Sequence, residues 1–145
     1  MKIAIASDHA GFDLKEKIKK ILTKYDVIDH GPTNSDSMDY PDTGFKAAEA
    51  VSKGDCERGI LICGSGLGMS IVANKVPGIR AALCQTKQFA QLSRLHNNSN
   101  ILVLSGRFIS IHLAKEIIDV WLNTEFEGER HQKRLDKITD YEIKR

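Results

Sequence analysis

The sequence predicts an α/β fold, a five-stranded parallel sheet with helices on both faces and a C-terminal helix closing the chain. Three observations predict it. Short β-branched runs alternate with longer stretches whose apolar residues recur at helical spacing. Two of the short runs, GILIC (Gly59–Cys63) and ILVLS (Ile101–Ser105), are apolar without alternation, as strands buried on both faces should be. Polar residues gather just past the runs, at Asp8–His9, Cys63 and Cys84, which is where open parallel sheets bind ligands.

In chain order, KIAIAS (Lys2–Ser7) is an apolar strand ended by Asp8, and Leu14, Ile18, Ile21 and Leu22 mark the first helix. Val27–Ile28 is a short second strand stopped by Gly31–Pro32. Thr33 to Asp42 is polar and predicts a loop, followed by a helix through Phe45, Ala48 and Val51. Gly59–Cys63 is the third strand, and a helix through Ile71, Val72 and Ala73 follows it. IRAALC (Ile79–Cys84) predicts the fourth strand and ILVLS the fifth, with helices at Lys87–Leu95 and His112–Leu122. A charged helix follows Gly128. No repeat or linker divides residues 1–145, a length that suits one domain.

Composition narrows the function. Lys and Arg number 21 against 19 Asp and Glu, a net charge of 21 − 19 = +2, which gives no support to a nucleic-acid or membrane-surface role. The N-terminal apolar run is broken at once by Asp8 and His9, so no signal peptide is expected. Gly59 to Asn74, with four glycines and two serines, falls short of a membrane span. Three scattered cysteines without a CxxC predict reduced thiols and a cytoplasmic protein.

The strongest chemical signal is Cys63-Gly64-Ser65-Gly66-Leu67-Gly68-Met69-Ser70, between a buried strand and a helix. Glycines at alternate positions let the backbone approach a ligand closely, with N–H groups at the helix start aimed at an anion or oxyanion. Spacing excludes three familiar loops. A dinucleotide fingerprint needs glycine where Met69 stands, a Walker loop needs Gly-Lys-Ser/Thr, and a Cys-x5-Arg loop needs arginine at position 69. Cys63 enters the loop at a helix start, where a thiolate could act as nucleophile or base; a buried inert thiol is the bland alternative, and it is retained for Cys56 and Cys84. Zinc held by Cys63, Cys84 and a histidine lacks the short ligand spacing such sites show.

Asp8 and His9 suit hydroxyl and anion contacts, although Asp8 could equally cap a helix. In His96-Asn97-Asn98, a histidine can exchange protons near neutral pH and an amide can donate to an oxyanion, while a helix C-cap would also explain the cluster. His30 and His112 have no supporting neighbours. Arg130 and Arg134, four apart, share one helix face and could grip a phosphate, or simply solvate a charged helix. Taken together, the set suits proton transfer on a small phosphorylated carbohydrate.

The motifs DHAG, MDYPD (Met38–Asp42), ILICGSGLGMSIVANKVPGIRAALC, LHNNSNILVLSGR and GERHQKR, in this order, resemble the ribose-5-phosphate isomerase B family and span nearly the whole chain. The resemblance implies a three-layer Rossmann-like sandwich. It also implies an aldose–ketose isomerase that interconverts D-ribose 5-phosphate and D-ribulose 5-phosphate through a cis-enediolate, with no metal and no cofactor. Allose-6-phosphate and galactose-6-phosphate isomerases share the family and remain alternatives. A non-catalytic sugar-phosphate-binding module is the alternative of another class.

By the same resemblance Cys63 moves the proton between C1 and C2. Backbone N–H groups of Gly64, Ser65, Gly66, Leu67, Gly68, Met69 and Ser70, with Asn97, stabilise the enediolate. Ser65 and His96 assist ring opening. Asp8 and Tyr40 lie near the sugar hydroxyls, and His9, Arg107, Arg130 and Arg134 hold the phosphate. The family often has Thr at the position of Ser65, and some members use a Glu where this chain has Met69; a thioether cannot accept a proton from carbon. The resemblance further implies a homodimer or dimer of dimers with each site across an interface, so that His96, which precedes its strand, reaches a neighbour's site.

Overall fold

The computed structural model describes residues 1–145. Strands β1 (Lys2–Ser7), β2 (Asp26–Asp29), β3 (Arg58–Cys63), β4 (Ala81–Leu83) and β5 (Ile101–Ser105) form one parallel sheet in the order β2-β1-β3-β5-β4. Between and after them run α1 (Phe12–Ile21), α2 (Tyr40–Ser52), α3 (Leu67–Asn74), α4 (Lys87–Leu95), α5 (Ile111–Asn123) and α6 (Arg130–Ile143). No helix is long and apolar enough to cross a membrane.

Alternation along the central strands builds the layers, because successive side chains leave opposite faces of a sheet. Ile3, Ile5, Ile60, Ile62, Leu102 and Leu104 face one way and pack with Leu14 and Ile18 of α1, Ala90 of α4, and Ala114, Ile117, Ile118 and Trp121 of α5. Ala4, Ala6, Leu61, Cys63, Ile101 and Val103 face the other way, against Ala47, Ala48 and Val51 of α2 and Met69 and Ala73 of α3. The small β1 side chains on this second face let α2 lie close.

Two boundaries differ from the sequence reading. The segment expected to be loop through Asp42 is already helical from Tyr40, because Pro41 falls in the first turn, where its missing N–H costs no hydrogen bond. The strand expected over Ile79–Cys84 shrinks to Ala81–Leu83. It is an edge strand: just before it Arg80 N–H donates to Asn100 Oδ1 at 2.8 Å instead of to a strand carbonyl, and Asn74 satisfies its outer side, Oδ1 accepting from Ala81 N–H at 2.9 Å and Nδ2 donating to Ala81 C=O at 3.0 Å.

One buried charge anchors the β2 turn. The fully buried Lys15 places Nζ 2.8 Å from both Asp29 carboxylate oxygens and 2.6 Å from the Pro32 carbonyl, and Lys19 reaches Asp29 at 2.7 Å. Burial alone would raise the Asp29 carboxyl, but the hydrogen bonds from Lys15, Lys19 and Gly31 N–H outweigh it and hold it below the ordinary 3.8. Removing one partner of a buried pair strands the other charge. Asp29→Asn should therefore cost about 2–3 kcal/mol at neutral pH, the low end because Asp29 keeps part of its side chain in water, read as a lower urea midpoint. A folded-state value below the unfolded one contributes stability above pH 3.8, lost as pH falls through the lower folded value. The parent's advantage over Asp29→Asn should accordingly be constant near neutrality and shrink on acidification below pH 3.8; an advantage that grew there would refute the account.

Candidate active site

The loops leaving β1, β3 and β5 meet at the carboxyl end of the sheet, pressed together through backbone groups. Asp8 N–H donates to Ile62 C=O at 3.2 Å, Gly106 N–H to Cys63 C=O at 2.8 Å, and Arg107 N–H to Gly64 C=O at 3.0 Å. The contact depends on glycine. A Cβ on Gly11 would stand 2.6 Å from the Ile62 carbonyl oxygen, and one on Gly106 2.8 Å from that of Ala10. Gly66, at φ +82°, is the N-cap of α3; a Cβ there would meet Leu83 and strain a left-handed backbone. The turn is clamped from behind, where Ser105 Oγ donates to Ser65 C=O at 2.5 Å.

This packing turns the glycine loop into a donor cradle. The N–H groups of Gly64, Ser65, Gly66, Gly68 and Met69 have no partner within the chain, and the last four stand at the positive start of α3. Two N–H groups expected in the cradle are already engaged. Leu67 donates to Ser65 Oγ at 3.2 Å, and Ser70 donates to Gly66 C=O at 3.0 Å as the first helical bond. The Met69 side chain is fully buried, against Gly44, so Met69 offers the loop only its backbone.

The expected side chains of this end assemble around the cradle. Cys63 ends β3, is 4% exposed and faces the α2–α3 layer. Tyr40 lays its ring on Gly68, where a Cβ would come within 2.6 Å of it. Arg107 passes over Gly64, with Nη1 3.2 Å from the place a Cβ would take. Asp8 Oδ1 accepts from Gly11 N–H at 3.0 Å and closes the turn before α1, while the helix N-cap itself is Gly11. His9 Nδ1 accepts from Met38 N–H at 3.2 Å, which leaves its Nε2 as the donor.

His96, Asn97, Arg130 and Arg134 lie elsewhere. β4 and β5 are parallel, so α4 descends from the carboxyl end of the sheet and leaves His96 and Asn97 at the opposite end, before β5. The five residues of β5 alone put about 16 Å between these ends. α6 packs at the same far end, with Glu127 N–H donating to Leu95 C=O at 3.1 Å and His131 stacked on His96. The residues expected to hold a phosphate divide likewise: His9 and Arg107 at the end of the sheet that carries Cys63, Arg130 and Arg134 away from it.

The far end is also tightly built. Arg94, 6% exposed, donates to Asn98 Oδ1, Ser99 C=O and Thr124 C=O, and burial, with Arg58 and Arg80 adding to it, lowers its guanidinium to about 10. Arg80 Nε donates to the Asn97 and Asn98 carbonyls at 3.1 and 3.0 Å, and Trp121 Nε1 to Ser99 Oγ at 2.8 Å. These bonds hold the His96–Asn98 loop, whose Asn98 sits at φ +44°. A cavity of about 440 Å³ opens beside it, lined by Arg80, Asn97, Leu135 and Tyr141 among others. Sequence reading missed Glu127, His131, Arg80 and Arg94 here. The Glu127/His131 spacing of four was the available signal, masked by the charged residues around it.

Comparison with known proteins agrees with this geometry. A family model described as Ribose/Galactose Isomerase matches residues 3–138. The ribose-5-phosphate isomerase B of Escherichia coli is 47% identical, with 99% of this chain and 98% of that protein covered. The structure of the Clostridium thermocellum ribose-5-phosphate isomerase B superposes with a TM-score of 0.97 at 54% identity, covering 99% of both chains. That of the Mycoplasma genitalium enzyme with bound ribulose-5-phosphate superposes at 0.94 and 44% identity, covering 99% of this chain and 97% of that one. A glycine-loop α/β chain matched over nearly its whole length in this way belongs to the ribose/galactose isomerase family.

Proposed function

We propose that the protein interconverts D-ribose 5-phosphate and D-ribulose 5-phosphate, with Cys63 as the base that carries the proton. The observation that carries this reading is the placement of a thiol at the strand end beneath a loop of unpaired N–H donors, in a chain so closely matched to ribose-5-phosphate isomerases.

In the open aldose the Cys63 thiolate takes the proton from C2. The electron pair becomes the C1–C2 double bond, and charge gathers on O1. Free N–H groups of Gly64, Ser65, Gly66, Gly68 and Met69 stabilise that oxygen, which is where preorganised donors act most strongly. The O2 proton passes to O1, O2 becomes the ketone, and the thiol returns its proton to C1. Ser65 and His96 serve ring opening, Asp8 and Tyr40 bind hydroxyls, Asn97 supports the enediolate, and His9, Arg107, Arg130 and Arg134 hold the phosphate. A reduced cysteine fits a cytoplasmic enzyme.

This assignment requires two copies of the chain, because His96, Asn97, Arg130 and Arg134 sit at the far end of the sheet from Cys63 of the same copy. In a homodimer, or a dimer of dimers, each glycine loop receives them from a neighbour. The testing experiment is turnover of D-ribose 5-phosphate by the purified protein in excess chelator, with sustained isomerisation expected. Turnover of allose or galactose 6-phosphate instead would move the substrate to six carbons, and binding with no turnover of any of the three would make the chain a binding module.

A further inference from the structure

His131 is a buried titratable side chain that the proposed mechanism leaves unused. It is 5% exposed in the first turn of α6, and three polar partners converge on it from different elements. The His96 ring stacks on its face, with centroids 4.2 Å apart and planes 15° from parallel. Arg134 Nη1 lies 3.5 Å from its Nδ1. Glu127 Oε2 lies 3.4 Å from its Nε2, which has no hydrogen-bond partner.

Two roles are available to such a cluster. The donor atoms of His96, Glu127 and His131 fall within 4.8 Å of one another, a spacing at which three ligands could share a cation. Stacked, near-parallel imidazoles, however, cannot both point an in-plane lone pair at one ion. The stack therefore favours the second role, a platform. Burial, His96, Arg130 and Arg134 lower the His131 imidazole and outweigh Glu127, so its ring is neutral at neutral pH. A neutral ring with Nδ1 accepting from Arg134 carries its proton on Nε2, toward Glu127.

We propose that His131 is a positioning residue, its buried ring holding the His96 imidazole by stacking and the Arg134 guanidinium through Nδ1. One side chain would then set the orientation of the ring-opening histidine and of a phosphate-binding arginine together, for delivery to the neighbouring copy's loop. This rests on the isomerase reading above.

Two variants separate the two contacts. His131→Phe keeps a flat ring for His96 but offers Arg134 no acceptor; His131→Ala removes both. With ribose 5-phosphate, Phe should raise KM about tenfold and leave kcat within about twofold, whereas Ala should also lower kcat about tenfold, the scale on which small misplacements act. In proton NMR the His96 Cε1–H should keep its ring-current displacement in Phe and lose it in Ala. A merely structural role predicts less folded protein with kcat and KM unchanged per folded site, and that result would overturn the proposal. So would a kcat in Phe as low as in Ala. If Ala does not fold, Phe still decides, since an unchanged KM there removes the tether. A parent that turns nothing over defeats the isomerase reading and this proposal with it, whereas an active parent with indifferent variants defeats the proposal alone.

Discussion

Cys63→Ala is expected to lower kcat for ribose 5-phosphate by about a thousandfold or more, within the range that a positioned acid–base group contributes, while binding and fold survive. The structure allows so clean a separation. The Cys63 backbone carbonyl, not its sulfur, receives the bond from Gly106 N–H that locks the β3 and β5 loops together. Alanine retains that carbonyl and loses one atom from the buried cluster that Cys63 shares with Ala4, Ala6 and Met69, at a stability cost of about 1 kcal/mol. The cradle N–H groups are backbone and remain. Calorimetric binding of ribose 5-phosphate should stay within a few-fold of the parent as kcat collapses. A variant that kept its turnover would transfer the base to another group, and Asp8, with only one of its oxygens engaged in the turn, is a carboxylate on the same rim.

The second large effect is recovery of activity from two dead proteins. One variant is Cys63→Ala; the other is the pair Arg130→Ala and Arg134→Ala. If each site takes its loop from one copy and its α6 arginines from another, every site in either pure variant is defective. In a mixed dimer one site receives both defects and the other receives none. Equal amounts, unfolded and refolded together, should therefore regain about a quarter of the parent's activity, since about half the dimers are mixed and each has one intact site. Mixing without refolding should regain little if subunits exchange slowly. Recovery that never rises above the sum of the two parts would place Arg130 and Arg134 outside the partner's site.

Much of the fold was legible because it depends on local periodicity. GILIC and ILVLS are apolar throughout, which marks them as inner strands covered on both faces, as β3 and β5 are; that they lie side by side in the order β2-β1-β3-β5-β4 was not legible in the sequence. The rule that looks to strand carboxyl ends picked out Asp8, His9 and the glycine loop, and the structure brings the loops that carry them together on one rim. Boundaries were less legible where side chains replace backbone partners. Ile79–Cys84 looks like a full strand, yet Arg80 N–H goes to the Asn100 side chain and only Ala81–Leu83 pair with β5.

The sequence by itself determined the α/β layering, the glycine loop with its thiol, and the family, because each is written in residues adjacent along the chain. Tertiary structure alone decided which of those residues can act together. It showed that Leu67 and Ser70 spend their N–H groups on the loop itself, that Asp8 closes a turn, and that His131 lies beneath His96. It also put the histidine and the paired arginines at one end of a sheet whose other end carries the thiol. The physical reason is the parallel connection: a helix must return the chain to the start of each strand, so residues after a helix end up a strand's length from residues after a strand.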